Sequence, residues 1–254
     1  MNSVAGKRMQ GLAYCAVLGA LLCTPAGDAR ATFFTDSYDT RASLDLGWSW
    51  EETDNRVSTS FGTDERGRND ATIHSYGADI RRTPHQGNGW VAGTWVRIFE
   101  DDGTQFRLDL HPTPGLDTSL SYSRDVFVLP YLGYSWELGE AANGPRLTLF
   151  AGPRIERYEM VLESDESGGG GQAERFSRRN WDTDLTIGGD LDVPLGPLGD
   201  NATGFFRLGG AFDFHPDMKD VTGRSSLNFD YRGTVESVES ASYRFFFGVG
   251  IKLK

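Results

Sequence analysis

Four carboxylates within eleven residues, Asp182, Asp184, Asp190 and Asp192, are the first candidates for chemistry in this chain. In an extended strand, residues two apart share a face, so these acids form two pairs on one face. Paired carboxylates can hold a metal ion or divide acid and base roles. They can equally accept salt bridges from arginines across a core, and with no regular ligand spacing around them that second reading is favoured. The acidic run Glu163–Glu166, followed by Gly168–Gly171, has the composition of a calcium loop without its alternating oxygen ligands, and reads as a mobile loop tip.

The other chemical candidates are as bare. There are four histidines, at positions 74, 85, 111 and 215. His74 has Ser75 beside it, but neighbours in a strand face opposite ways and make a poor nucleophile–base pair. Asn201–Thr203 fits a glycosylation sequon and sits in a turn. The expectation is therefore no catalytic residue, no metal site and no cofactor.

The elements that would position these groups are strands. No stretch beyond residue 31 keeps helical apolar periodicity over three turns, whereas two-residue alternation recurs in eight segments. They are Leu44–Trp50, Ser75–Arg81, Trp90–Phe99, Val126–Leu138, Leu147–Glu156, Trp181–Val193, Phe205–Phe214 and Tyr243–Leu253. One face of these segments comprises 42 positions with no charge, where the chain-wide charged fraction of 24% would place about ten. The last segment shows the pattern plainly: Tyr243, Phe245, Phe247, Val249, Ile251 and Leu253 alternate with Arg244, Phe246, Gly248, Gly250 and Lys252.

The opposite face carries Asp45, Asp79, Arg81, Arg97, Glu137, Arg154, Glu156, Asp182, Asp184, Asp190, Asp192, Arg207, Asp213, Arg244 and Lys252. In a membrane barrel these residues point into the lumen as a mutually paired network; in a soluble sandwich they face water. The connections favour the barrel. Long ones (51–74, 100–125, 157–180, 215–242) alternate with short ones (82–89, 139–146, 194–204), as clipped inner turns alternate with larger outer loops. Trp48, Trp50, Trp181 and Tyr243 lie at the outer ends of their segments, and Trp90 and Trp136 at the inner ends. Amphipathic rings prefer the two membrane interfaces. Phe127, Leu129, Tyr131 and Phe150, together with Arg97 and Arg154, point inward and predict a plugged lumen, eight strands enclosing only enough room for side chains.

These segments, their aromatic girdles and the amphipathic last strand resemble the small outer-membrane β-barrel proteins of Gram-negative bacteria, the group of opacity-type surface proteins. The resemblance covers essentially residues 32–254 as a pattern. Gly248, Ile251 and Leu253 match the spacing of the family's terminal assembly signal, although the chain ends in Lys254 rather than an aromatic. It implies an all-β, antiparallel up-and-down barrel of eight strands, or ten if Gln105–Leu110, Leu116–Ser123 and Ser226–Tyr231 join the ring instead of projecting as hairpins. It also implies outer-membrane lipids and the barrel-assembly machinery as partners, with an extracellular ligand at the outer loops. The expected role is non-enzymatic, structural or surface-interacting. The alternatives are a narrow solute channel and, behind it, a lipid-modifying enzyme; a soluble periplasmic β-domain is the rival fold.

Met1–Ala31 reads as a cleaved signal peptide. Lys7 and Arg8 precede the apolar run Gly11–Leu22, and Ala29 and Ala31 offer two cleavage points. Both cysteines, Cys15 and Cys23, fall inside this segment, leaving no disulfide to the rest. Its removal takes a net charge of +2 and carries the formal charge from −11 to −13. So acidic a chain is a poor partner for nucleic acid.

Overall fold

The computed structural model describes residues 37–59, 64–100, 104–113, 116–139, 144–166, 174–214, 221–224 and 230–253. The signal segment, the Gly168–Gly171 run, His111 as a side chain and His215 lie outside what is described. Among the described residues every regular element is a strand: β1 (Tyr38–Thr59), β2 (Asp64–Pro84), β3 (Gly89–Phe99), β4 (Thr104–Thr113), β5 (Leu116–Glu137), β6 (Arg146–Glu166), β7 (Glu174–Pro197), β8 (Ala202–Phe214), β9 (Val221–Arg224) and β10 (Asp230–Leu253).

Eight of the ten close a ring. The order is β1-β2-β3-β5-β6-β7-β8-β10, and β10 returns to β1 through an antiparallel ladder running from Thr40↔Leu253 to Thr59↔Gly233. Closure leaves the ring without a sheet edge, which makes a strand structure tolerable in lipid. β4 and β9 are not ring strands. β4 pairs only with the outer part of β5, and β9 only with Asp230–Gly233 of β10. The count is thus an eight-stranded barrel with projecting hairpins.

The stretches expected as long loops are largely strand. β1 and β2 stay paired from Tyr38↔Pro84 up to Ser58↔Asp64, and β5, β6 and β7 run out to Leu116, Glu166 and Glu174. Alternating polarity stops where hydrocarbon stops, but backbone pairing does not, so a pattern read from hydropathy ends the strands too early.

The inner turns are short. Gly87 and Gly139 take φ of +66° and +97°, conformations that a Cβ disfavours. The two mid-strand prolines, Pro130 and Pro153, sit opposite each other. The β5–β6 ladder lapses between Val128↔Ile155 and Leu132↔Ala151 and resumes in the same register. They therefore mark no bulge; the register shift in this pair lies at Arg124/Val126. Sharing one rung confines the two missing N–H donors to a single gap.

Candidate functional site: a filled lumen and an apolar outer wall

The pleat sorts side chains strictly. Along β6, Leu147, Leu149, Ala151, Pro153 and Ile155 are exposed, while Arg146, Thr148, Phe150, Gly152, Arg154 and Glu156 are buried. Glycine on the inner face gives the large side chains room. A Cβ on Gly47 would collide with the guanidinium of Arg97, and one on Gly209 would lie 2.3 Å from the ring of Phe246.

The lumen is filled in three levels. Nearest the inner turns, Arg81 donates to Asp190 at 2.8 Å and to Asp192 at 2.5 Å. Arg41 donates to Asp192 at 2.7 Å and to Thr83, and Arg207 bridges Asp192 at 3.1 Å and Asp79. The Tyr131 hydroxyl donates to the other oxygen of Asp79 at 2.8 Å. At the rim of this level, Lys252 and His85 both approach Asp39, at 3.6 and 2.8 Å.

The middle level is aromatic. Trp95 packs on Phe246 at 4.5 Å between centroids and edge-on against Phe127 and Phe150, and Tyr131 lies 4.9 Å from Phe150. The Trp95 indole N–H donates to Asp45 at 2.9 Å, and Arg97, paired with Asp45, lies 4.4 Å over the indole ring. Leu129 belongs to the same buried apolar cluster, which encloses the Arg97–Asp45 ion pair among its rings.

The outer level centres on Asp213. It accepts from Arg244 at 2.8 Å, Thr186 at 2.5 Å and Ser242 at 3.1 Å, and pairs with Arg154 at 2.8 Å. Arg154 also reaches Asp184 and Glu156, and Glu156 binds Arg124 at 3.1 Å. These are charge-assisted contacts among groups removed from water, the arrangement in which a buried charge is tolerable.

All fifteen residues of the expected inner face are on these strands, but not all are deep. Glu137 sits at the inner rim, where Arg146 approaches it at 3.7 Å and the Gly87 N–H donates to it. Asp182 is half-buried at the outer rim and caps the Thr183 N–H. Reading the sequence missed Asp39, Arg41, Arg124, Arg146 and Trp95, all buried. Asp39 and Arg41 continue the phase of Asp45 just below the chosen start of the strand. Arg146 precedes Leu147 in the same way. Arg124 is hidden by the register shift, and Trp95 by its type, since an aromatic on the polar face attracts no notice in a search for charge.

His74 and Ser75 do not meet. Ser75 points inward, accepts from Arg97 at 2.7 Å and is buried. His74 points outward, 3.6 Å from Glu100 and edge-on to Trp48, and Glu100 also accepts from Tyr76 at 2.6 Å.

The outer wall inverts a globular protein. Leu44, Leu132 and Val249 are about 60% exposed, whereas Arg97, Arg154 and Asp213 are fully buried. Leu46, Leu149, Leu185, Ile187, Leu208 and Phe245 extend the apolar surface around the ring. A continuous apolar belt of this kind cannot face water, because patches beyond a few hundred Å² drive association. The barrel is a transmembrane one. At one end of the belt lie Trp48 and Trp50 beside Phe247 and Phe245, with Tyr243 beside Phe212, and Trp181 exposed on β7. At the other, Trp90 packs edge-on to Tyr134, which meets Trp136 at 5.0 Å. None of the described residues forms a helix long and apolar enough to cross a membrane; the strands cross it.

No protein-family description matches the chain, and no curated protein matches it in sequence. Solved structures resemble it in fold. The attachment invasion locus protein Ail of Yersinia pestis, solved with the heparin analogue sucrose octasulfate, matches at 11% identity and a TM-score of 0.32 over 85% of this chain and 99% of that one. The Neisserial surface protein A matches at 12% and 0.29 over 84% and 98%. The CymD monoaromatic hydrocarbon channel matches at 6% and 0.34 over 84% and 88%. These likenesses carry no argument about role.

Proposed function

We propose that this is a non-enzymatic outer-membrane protein whose barrel is an anchor and whose outward-projecting strands do its work, as a surface-interaction module. The observation that carries the reading is the lumen. Two ion-paired levels and the ring cluster between them fill the bore with buried side chains, which supports a closed lumen. Conduction needs a site that binds weakly and releases, whereas Arg81, Asp192 and Asp213 each hold several charge-assisted contacts. Ser75 and His74 face opposite sides of the wall and cannot act as a pair, and the Thr186 and Ser242 hydroxyls that meet the Asp213 carboxylate are fully buried inside the filled bore.

The strands continue well past the aromatic girdle. From Glu51 to Thr59, β1 adds nine residues, or about 30 Å of extended chain at roughly 3.3 Å per residue. Charge is distributed accordingly. Among the described residues the buried charged side chains are nine basic and eight acidic, a net +1, so the rest of the chain carries a formal −11 − 1 = −12.

Two measurements test the reading. Purified barrel in planar bilayers gives no steady large conductance, and Trp95→Ala, which removes the centre of the ring cluster, raises current noise above wild type. Steady conductance from the unmodified protein would return the assignment to a channel. Cells expressing a barrel shorn of its projecting strands lose the surface attachment that the full protein confers; equal attachment by both would remove the surface role.

A further inference from the structure

The outer end of the apolar belt differs around the ring. Where β10 meets β1 it ends in two aromatic rings, the rung partners Tyr243 and Trp50. Across β5, β6 and β7 the corresponding rung is Val126↔Arg157↔Trp181, an arginine set between an aliphatic side chain and an exposed indole. Rung partners share a face, so Arg157 looks outward with Trp181. The burial pattern agrees. Ile155, two residues nearer the middle of the membrane, is exposed on the lipid side, whereas Glu156 and Tyr158, on either side of Arg157, are buried.

Arg157 is the opposite of a lumen arginine. Arg154, one turn of the pleat away on the inner face, is fully buried among Asp184, Glu156 and Asp213. Arg157 pairs through Nε with Asp125 at 3.1 Å, and the two side chains remain 35% and 37% exposed. Among the described residues Asp125 is its partner, so the terminal nitrogens of the guanidinium fork stay available. An ion pair this exposed contributes little to stability, and the fold gives no other reason for an arginine on the outer wall. Arg179 stands beside it. It lies two residues above Trp181 on the same face and diagonal to Arg157, a separation of about 7–8 Å that long side chains can close. Glu159 accepts from its Nε and Nη2 at 3.1 Å each, which leaves Nη1.

We propose that Arg157, Trp181 and Arg179 form a binding site on the outer wall for a phosphate-bearing lipid of the outer leaflet. At the depth of the aromatic girdle an outward side chain meets lipid headgroups. Of the groups found there, phosphate is the one whose oxygens match a guanidinium fork. Asp125 and Glu159 are already engaged by the arginines, so they orient the two forks and do not offer a site for a cation. The indole of Trp181, between the forks and the belt, covers the boundary between headgroup and acyl chain. The surface role is separate, because it concerns the strands beyond this level.

The test is lipid retention by the full barrel in neutral detergent, titrated with lipid A bearing two phosphates and read by native mass spectrometry. The wild-type protein should hold this lipid about tenfold more tightly than the same lipid stripped of phosphate, the order expected for charge-assisted contacts. Arg157→Gln removes that preference. Arg157→Lys, which keeps the charge and loses the fork, recovers only part of it. Arg82→Gln serves as the control, since Arg82 belongs to the inner end of β2, where it donates to Thr40 at 2.9 Å. That variant should bind as wild type does. Three results would overturn the proposal: no preference for the phosphorylated lipid, equal losses from Arg157→Gln and Arg82→Gln (general attraction to a charged wall), or displacement of the lipid by inorganic phosphate at equal concentration (a site for a free anion).

Discussion

β7 is one strand with two lives. From Leu185 to Asp192 it is laddered on both sides, by β6 and β8, and its side chains divide between lipid and an ion-paired bore. From Glu174 to Asn180 the ladder holds it on the β6 side alone. The difference teaches what each environment demands. In hydrocarbon every backbone group must be paired within the protein, so the ring closes completely. In water an edge can be left unpaired, because solvent satisfies its free backbone groups. The membrane ring should accordingly be intolerant of change and the projection tolerant.

Asp213 gives the sharpest test of intolerance. Asp213→Ala leaves Arg154 and Arg244 without the carboxylate they share and strands the Thr186 and Ser242 hydroxyls. Breaking one partner of a buried charge set costs about 3–5 kcal/mol. The measurement is urea unfolding in lipid vesicles; a loss below about 1 kcal/mol would mean that water reaches the outer level and relaxes it. On the other side of the wall, Leu132→Arg places a charge near mid-membrane on the lipid face. The cost there is about 2–4 kcal/mol, smaller because a long side chain can reach toward an interface. An unaltered midpoint would show that Leu132 faces something other than lipid.

How much of this was legible beforehand follows the same division. The uncharged face of 42 positions is a product of hydrocarbon, and a single sequence displays it because lipid excludes charge at every exposed site. The inner residues were legible for the same reason read backwards: charges absent outside had to be inside. Particular contacts were not. That Asp213 gathers Arg154 and Arg244, or that Arg81 grips Asp190 and Asp192 across the bore, depends on register and curvature, which alternation does not encode. Arg124 was lost because one shifted residue flips the phase. The length of the projection was illegible altogether, since strands paired in water need no apolar face, and Glu51–Thr59 reads by composition as loop.

Pro130 and Pro153 mark where the ring departs from its own rule. Their shared rung lacks both donors. Pro130→Val returns one N–H opposite Pro153 and should stabilise the barrel by about 1 kcal/mol, the net worth of one hydrogen bond. Unchanged or reduced stability would indicate that the strand path there is set to suit proline and that the rung cannot reform.

The smallest effect is expected where the chain looks most elaborate. Replacing Thr53–Asn69 by an Asn-Gly turn removes the paired outer ends of β1 and β2, from the rung Thr53↔Asn69 upward. The rungs below, including Trp50↔Thr72 and Trp48↔His74, and the seam Trp50↔Tyr243 remain intact. The ring keeps its closure, its lumen and its lipid-facing belt, so unfolding in vesicles should shift by no more than about 0.5 kcal/mol, the range of changes away from buried features. A two-residue type I′ turn suits the right-handed twist of the strands it would join. A loss of several kcal/mol would mean that the projection holds the barrel together, and the distinction between an anchor that needs every contact and a display that needs few would no longer stand.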